Sequence, residues 1–356
     1  AARLVRQKYG AGADVAGSTI CTWVVELKNL CRGIAILGEL TNRSLDSIAS
    51  VGELLSSMIF TKVLTERKCE TVNVDARRFM LTDEQFTNAA PLFDQIELRA
   101  KEHLGPPVRA NKVVVTQGFI GNTLKGITTT LGRGGSDLSA AIIGAALDAE
   151  EIQIWTDVDG ILTADPRICP EARKIKVISF REASELAYFG AKVLHPSTIL
   201  PAVRKNIPVI VLNSRKPSAS GTLIVADPPK SNVAVKSIAS KKGITVINIQ
   251  STRMLMAYGF LESIFSVFSR HRTPVDLVST SEVAVSLTID NTEHIEQIRA
   301  ELEQYAEVTR YEHKAILCIV GEQMHSTVGI ADRIFRSLGD INVMMISQGA
   351  SEINMS

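Results

Sequence analysis

Three short apolar runs, each separated from the next by a stretch long enough for a helix, set the tightest limit on what this chain can fold into. They are Val113-Val114-Val115, which ends at Gln117-Gly118, then Ile152-Gln153-Ile154-Trp155, then residues 207–212. Apolar runs of this length bounded by turn residues read as buried strands. A Gly-rich stretch follows the first run, and residues 138–149, rich in small helix formers, follow that. Strands separated by helices of about ten residues or more make βα units, which require a mainly parallel sheet with both faces covered. Upstream, apolar positions recur at helical spacing through Leu45, Ile48, Val51, Leu54, Leu55, Met58 and Ile59, so residues 1 to about 70 read largely as helices.

Residues 215–243 form a polar connector with Pro217, Pro228 and Pro229, which marks a domain boundary. A length of 356 residues fits about two domains. Beyond the connector the chain repeats itself. Residues 259–265 and 275–282 recur as 329–335 and 343–352, an offset of roughly 70 residues, outside the short periods of solenoids. Each copy reads strand, helix, strand, which predicts two small α/β units packing their sheets together.

The 39 basic and 38 acidic side chains nearly cancel, which argues against a protein that binds nucleic acid through its phosphates. No apolar run approaches the ~20 residues of a membrane span. The five cysteines (Cys21, Cys31, Cys69, Cys169 and Cys318) are odd in number and scattered, without CxxC spacing. They read as ordinary thiols in a reducing compartment, not as a disulfide framework or zinc site. The expected location is cytoplasmic, with a plastid left open because a targeting segment would lie outside this sequence. The chain begins at Ala1, and residues 353–356 read as the middle of a strand, so both ends are expected to be trimmed.

The stretch Thr128-Thr129-Thr130-Leu131-Gly132-Arg133-Gly134-Gly135-Ser136-Asp137 carries the most chemistry. Three glycines in four positions let the backbone approach an anion and point N–H groups at it. Ser136 or Asp137 can cap the helix that follows, whose N-terminus adds partial positive charge. Arg133 supplies a planar, permanently charged fork for carboxylate or phosphate. The stretch is neither a Walker A motif nor a GxGxxG fingerprint. On its own, a structural Gly-rich turn accounts for it as well as an anion site does.

This block, preceded by Gln117-Gly118-Phe119-Ile120-Gly121, resembles the aspartate kinase branch of the amino acid kinase family. So do Trp155-Thr156-Asp157-Val158-Asp159-Gly160 with Asp165-Pro166-Arg167, and Phe189-Gly190-Ala191-Lys192-Val193-Leu194-His195-Pro196. Leu37-Gly38-Glu39-Leu40-Thr41 and Gly52-Glu53-Leu54-Leu55-Ser56-Ser57 look like that branch too, and all these motifs stand in family order. The resemblance implies an αβα three-layer sandwich with a mainly parallel sheet, plus two ferredoxin-like ACT domains. It divides the chain into a catalytic domain over 1–225, a linker over 226–243, a first ACT domain over 244–312 and a second, incomplete one over 313–356.

The function so implied is ATP-dependent formation of L-aspartyl 4-phosphate, the first step toward lysine, threonine and methionine, under feedback by an amino acid. The nucleophile would be the substrate's own β-carboxylate, ionised at neutral pH, so positioning and charge neutralisation suffice and no general base is needed. By resemblance, Arg133 clamps a substrate carboxylate, Glu53 faces the substrate ammonium, and Phe119 walls the site. Ser136 and Asp137 sit beside the reacting groups. Thr156, Asp157 and Arg167 match nucleotide-binding positions, and Lys192 lies near the ATP phosphates. Mg²⁺ bridges those phosphates and is held largely by the nucleotide, so no metal ligand is assigned to the chain. Each role has a bland rival: Asp137 as a helix cap, Glu53 as a solvated helix residue, Lys192 as a surface position. His195, Asp159 and Asp165 read as turn residues.

Two features depart from the family pattern. Leu162 stands where many bacterial relatives carry a Tyr, and no Lys-Phe-Gly-Gly-Thr-Ser motif precedes the first helices; residues 1–25 contain Tyr9-Gly10-Ala11-Gly12-Ala13-Asp14 instead. The missing motif is the main support for a rival of another class, a non-catalytic amino-acid sensor that kept the fold. Retention of Glu53, Arg133 and Asp137 tells against it. Acetylglutamate or glutamate kinases, of the same fold, are disfavoured by the C-terminal repeat and the TTTLGRGGSD block.

ACT domains bind amino acids at interfaces between paired copies. By resemblance, Met254, Phe260 and Leu261 flank the effector at one loop, and Asp276, Thr280 and Ser281 line the facing strand. Lysine is the leading effector, with threonine or both left open. Phe260 and Leu261 also read as ordinary core. Asp276 is harder to place there, since an unpaired buried carboxylate is costly. Paired ACT domains imply a homodimer or homotetramer.

Overall fold

A computed structural model describes residues 14–189, 196–229, 234–251, 258–349 and 351–356. The chain divides into two units, the first taking Ala1–Asp157, Leu194–Pro217 and Leu223–Ala226, the second taking Val158–Val193, Ser218–Thr222 and Asp227–Ser356.

The first unit opens with helices Asp14–Leu37 and Asn42–Glu66. Thr41 caps the second, its hydroxyl accepting from the Ser44 N–H at 3.2 Å. Strand Thr71–Asn73 pairs in parallel with Val113–Val115, and Ile152–Thr156 in parallel with Val209–Asn213. Leu81–Thr82 pairs in parallel with Ile120–Thr123, which turns back antiparallel onto Thr128–Thr130. The βα pattern expected from the apolar runs is therefore present, with one hairpin placed just before the Gly-rich loop. Val113 is 48% exposed and only Val115 of that run is buried. The core gathers Phe79, Met80, Ile96, Leu104, Leu131 and Ile142, each contributing about 1.5–3 kcal/mol on burial.

Helix Asn42–Glu66 passes a length-and-composition test for crossing a membrane. Its inward face holds a polar stripe, however: Asp46, Ser50 and Ser57 are buried beside Val51 and Leu54. The Asp46 carboxylate and the Ser50 and Ser57 hydroxyls are all hydrogen-bonded within the protein.

The second unit is built on one antiparallel sheet in which strands Val235–Gln250 and Glu307–Gly321 run side by side. Strand Ala284–Ile289 pairs with the second half of the first, and Val278–Thr280 with Ala284–Ile289. Asn354–Met355 closes the other edge against Ile319 and Val320. Two cores form on this single sheet. Helices Phe260–Arg270 and Ile295–Leu302 cover Ile247, Ile249, Val285 and Leu287 in one; helix Ile330–Leu338 covers Ile319 and Met355 in the other. The repeat is thus expressed as two cores sharing two long strands. Strand Val235–Gln250 begins inside the stretch expected as linker, and Glu307–Gly321 crosses the expected boundary between the ACT domains. Residues 343–349, expected as a strand, lack ladder bonds apart from one bridge at Gln348.

Candidate active site and amino-acid site

Strand Thr128–Thr130 runs into the Gly-rich loop, and helix Gly135–Ala146 leaves it. The expected side-chain cap is absent. Gly134 occupies the N-cap position in a left-handed conformation (φ +71), no side chain caps the helix, and Ser136 and Asp137 lie inside its first turn. Glycine serves here because it takes positive φ without strain, and the first N–H groups of the helix are left without a side-chain cap. Arg133 and Ser136 are exposed and Asp137 is half-buried. That partial burial pushes the Asp137 carboxyl above its ordinary range.

The segment Gln117-Gly118-Phe119 meets this helix terminus. A Cβ on Gly118 would stand 2.9 Å from Ser136 Oγ, and one on Gly135 would stand 2.7 Å from Phe119 Cβ. The Phe119 N–H donates to Ser139 Oγ at 3.0 Å, and Ser139 Oγ donates on to the Gly135 carbonyl at 2.8 Å. From helix Asn42–Glu66, Glu53 accepts the Gly118 N–H at 3.2 Å, and Ser57 accepts from Gln117 Nε2 at 2.6 Å. Glu53, Phe119 and Ser136 are therefore brought to one place, with Arg133 and Asp137 on the same loop and helix turn. Glu53 is half-buried, so the solvated-helix reading of that residue does not hold.

Thr156 is the last residue of strand Ile152–Thr156 and Asp157 follows it, at the carboxyl end where open α/β sheets bind ligands. Ser214 ties that end down, its N–H and hydroxyl donating to the Thr156 carbonyl at 2.8 and 2.9 Å. Among the described residues no group of three or more His, Cys, Asp or Glu is disposed to hold a metal ion.

In the second unit, Asp276 is the most constrained of the proposed effector residues. Its side chain is 3% exposed, and Lys241 Nζ lies 2.9 Å from Oδ1. The Tyr188 hydroxyl donates to the same oxygen at 2.8 Å. Oδ2 is buried with no partner, a seat for one further donor. Burial alone would lower the Lys241 ammonium, but its bonds to Asp290 and Asp276 outweigh that and raise it. Phe260 begins helix Phe260–Arg270 and packs edge-on against Tyr305 at 6.1 Å, so its ring belongs to the core. Leu261, Thr280 and Ser281 are exposed, and Ser281 Oγ accepts the Ala284 N–H at 3.1 Å in a turn. Met254 lies outside the described residues.

Residues 3–213 match the amino acid kinase family, and residues 317–356 match an ACT domain. Aspartokinase 3 (chloroplastic) of Arabidopsis thaliana is 40% identical over 99% of this chain, which spans 65% of that relative's length. The crystal structure of E. coli aspartokinase III with aspartate and ADP matches 95% of this chain and 76% of its own, at 37% identity and a TM-score of 0.83. The same enzyme with lysine and aspartate matches 96% and 77%, with a TM-score of 0.79.

The chain belongs to the aspartokinase branch of the amino acid kinase family. Among the aspartokinase motifs, Asp165-Pro166-Arg167 falls in the second unit, where Arg167 makes a two-pronged pair with Asp165 (Nε–Oδ1 3.0 Å, Nη2–Oδ2 2.7 Å) while staying 80% exposed. Asp165 is thus an ion-pair partner besides its turn role. Lys192 and His195 lie outside the described residues. Three contributors in this aspartokinase chain escaped the motif reading: Asp46, Tyr188 and Lys241. For Asp46 a signal existed, since Asp46, Ser50, Glu53 and Ser57 recur at helical spacing on one face. For Tyr188 and Lys241 none did, because their partner Asp276 is remote in sequence.

Proposed function

We propose that this chain transfers the γ-phosphoryl group of ATP to the β-carboxylate of L-aspartate, giving L-aspartyl 4-phosphate and ADP. The observation that carries the reading is the meeting of Glu53, Phe119 and Ser136 at the uncapped helix terminus beside Arg133 and Asp137. An α-amino dicarboxylic acid needs an anion for its ammonium and a fork plus backbone amides for its carboxylates, and this constellation supplies both. In the transfer, a β-carboxylate oxygen bonds to the γ-phosphorus and the bond to the β,γ-bridging oxygen breaks, with no proton exchanged. The site therefore works by orientation and electrostatic stabilisation. Magnesium would arrive with the nucleotide phosphates. The complex of E. coli aspartokinase III with aspartate and ADP supports the substrate class.

Feedback by an amino acid, lysine first, is part of the same reading. It is supported by the buried, half-satisfied carboxylate of Asp276 and by the lysine complex of the E. coli enzyme. An effector shifts activity only as far as it binds one conformation better than another. A homodimer or homotetramer through the ACT units belongs to the proposal, and light scattering on the purified chain checks it.

The deciding experiment traps acyl phosphate with hydroxylamine in the presence of ATP and Mg²⁺. L-aspartate, N-acetyl-L-aspartate and L-glutamate are compared, with and without lysine or threonine. Turnover with aspartate alone is expected, and Arg133→Ala should cut kcat/KM by about 10- to 100-fold, the worth of a charge-assisted carboxylate pair. Amino-acid binding without any acyl phosphate would instead identify a sensor.

A further inference from the structure

Asp46 is a buried carboxylate, 1% exposed, and none of the motif-derived roles uses it. It is saturated with donors from two places. The Thr130 N–H and hydroxyl reach it at 3.1 and 2.7 Å, and the Thr87 N–H at 2.9 Å. Thr130 is the last residue of the strand that enters the Gly-rich loop. Thr87 lies across that loop: a Cβ on Gly132 would stand 3.1 Å from the Thr87 carbonyl oxygen and 2.6 Å from Asn88 Oδ1. One carboxylate thus holds both the strand leading into Arg133 and the turn that backs it. Seven residues on, two helical turns and the same face, stands Glu53, which accepts the Gly118 N–H.

We infer that Asp46 is a positioning residue that sets the spacing between Glu53 and Arg133, the two groups assigned to the ends of the amino-acid substrate. A rigid helix carries both acidic residues, so fixing Asp46 to Thr130 fixes where Glu53 stands relative to the loop. Burying a carboxylate is unfavourable unless it is fully bonded. Serine or asparagine would hold a turn without that cost. A charge-assisted, three-donor grip gives the stiffness that discrimination of a small charged substrate requires. Nucleotide-binding positions Thr156 and Asp157 are not tied to Asp46, so the effect is confined to the amino acid.

The inference rests on the aspartate-kinase reading, and steady-state kinetics of the whole chain tests both. Asp46→Asn keeps the shape and an oxygen for the two N–H groups that share Oδ2, but removes the charge and puts an NH₂ where Oδ1 accepted the Thr130 hydroxyl. The KM for L-aspartate should rise about tenfold or more while the KM for ATP stays within about twofold, as loss of a positioning contact predicts. Thr130→Val removes one donor and should raise the aspartate KM by about threefold, a smaller loss than the full grip; it decides the matter if Asp46→Asn does not fold. A merely structural role would lower the melting temperature and the yield of active protein, leaving both KM values of the folded fraction alone, and that result would overturn the inference. So would a parallel rise in both KM values. Wild-type protein without aspartate-dependent acyl phosphate would sink the aspartate-kinase reading itself, an outcome distinct from an active wild type whose variants are kinetically unchanged.

Discussion

Asp137 sits where stability and chemistry pull in opposite directions. Burial raises its carboxyl above the ordinary 3.8, so the folded chain holds this proton more tightly than the unfolded one. Stability therefore falls as pH climbs from the ordinary value through the raised one. Asp137→Asn escapes that penalty. It should melt at a higher temperature than the parent at about pH 7 and converge with it toward about pH 3, while losing acyl-phosphate formation. Thermal melts across that range together with the hydroxylamine assay check both halves, and a variant no more stable at neutral pH would refute the assignment. Gly132 is the other exacting residue. Its φ of +73 and the approach of Asn88 leave no room for a side chain. Gly132→Ala should cost about 1–3 kcal/mol, read as a shift in urea midpoint at unchanged slope. Composition and spacing exposed the Gly-rich turn and the helix that leaves it. They misplaced the cap, because Gly134 and side chains such as Ser136 compete for that role on backbone geometry that no short motif records.

Helices are where polar and apolar patterning diverge most in this chain. The periodicity of Asn42–Glu66 was legible, yet its inward face is partly the polar stripe Asp46-Ser50-Glu53-Ser57, while Ile59 and Phe60 are 50% and 56% exposed. Which side of a helix faces the interior depends on what the neighbouring chain offers, here the amides of Thr87, Gly118 and Thr130. Helix Phe180–Tyr188 shows the same dependence. A capping box of Ser179 and Glu182 starts it, and Tyr188 ends it with a hydroxyl bonded to Asp276. Lys241 Nζ stands 5.2 Å from the centre of the Tyr188 ring. Removing that hydroxyl leaves the Asp276 carboxylate with Lys241 as its one partner among the described residues. Tyr188→Phe should weaken inhibition by lysine about fivefold, roughly one hydrogen bond's worth, with uninhibited turnover close to the parent. An unchanged inhibition curve would show that the bond only packs the helix.

At the scale of the whole molecule, residues 158–193 belong with the C-terminal half although they lie within the span that matches the amino acid kinase family. A buried ion pair is one reason. Lys236 (8% exposed) stands 2.9 Å from Glu182 (2% exposed) and 3.4 Å from Glu322. Breaking such a pair leaves a charge stranded, so Lys236→Met alone or Glu182→Gln alone should each be destabilising, Lys236→Met by about 3–5 kcal/mol, and the two together should recover much of it. Urea unfolding of the single and double variants measures this, and additive losses would exclude the pairing. Alternation of short strands with helices, the Gly-rich loop and the C-terminal repeat were all written locally, because period and glycine placement are properties of neighbouring residues. The saturation of Asp46, the half-satisfied Asp276 and the sharing of two long strands by both repeat cores come from residues far apart in the chain. Long-range hydrogen bonds and burial exist only once the chain has closed on itself, and no local spacing encodes which distant donor meets which carboxylate.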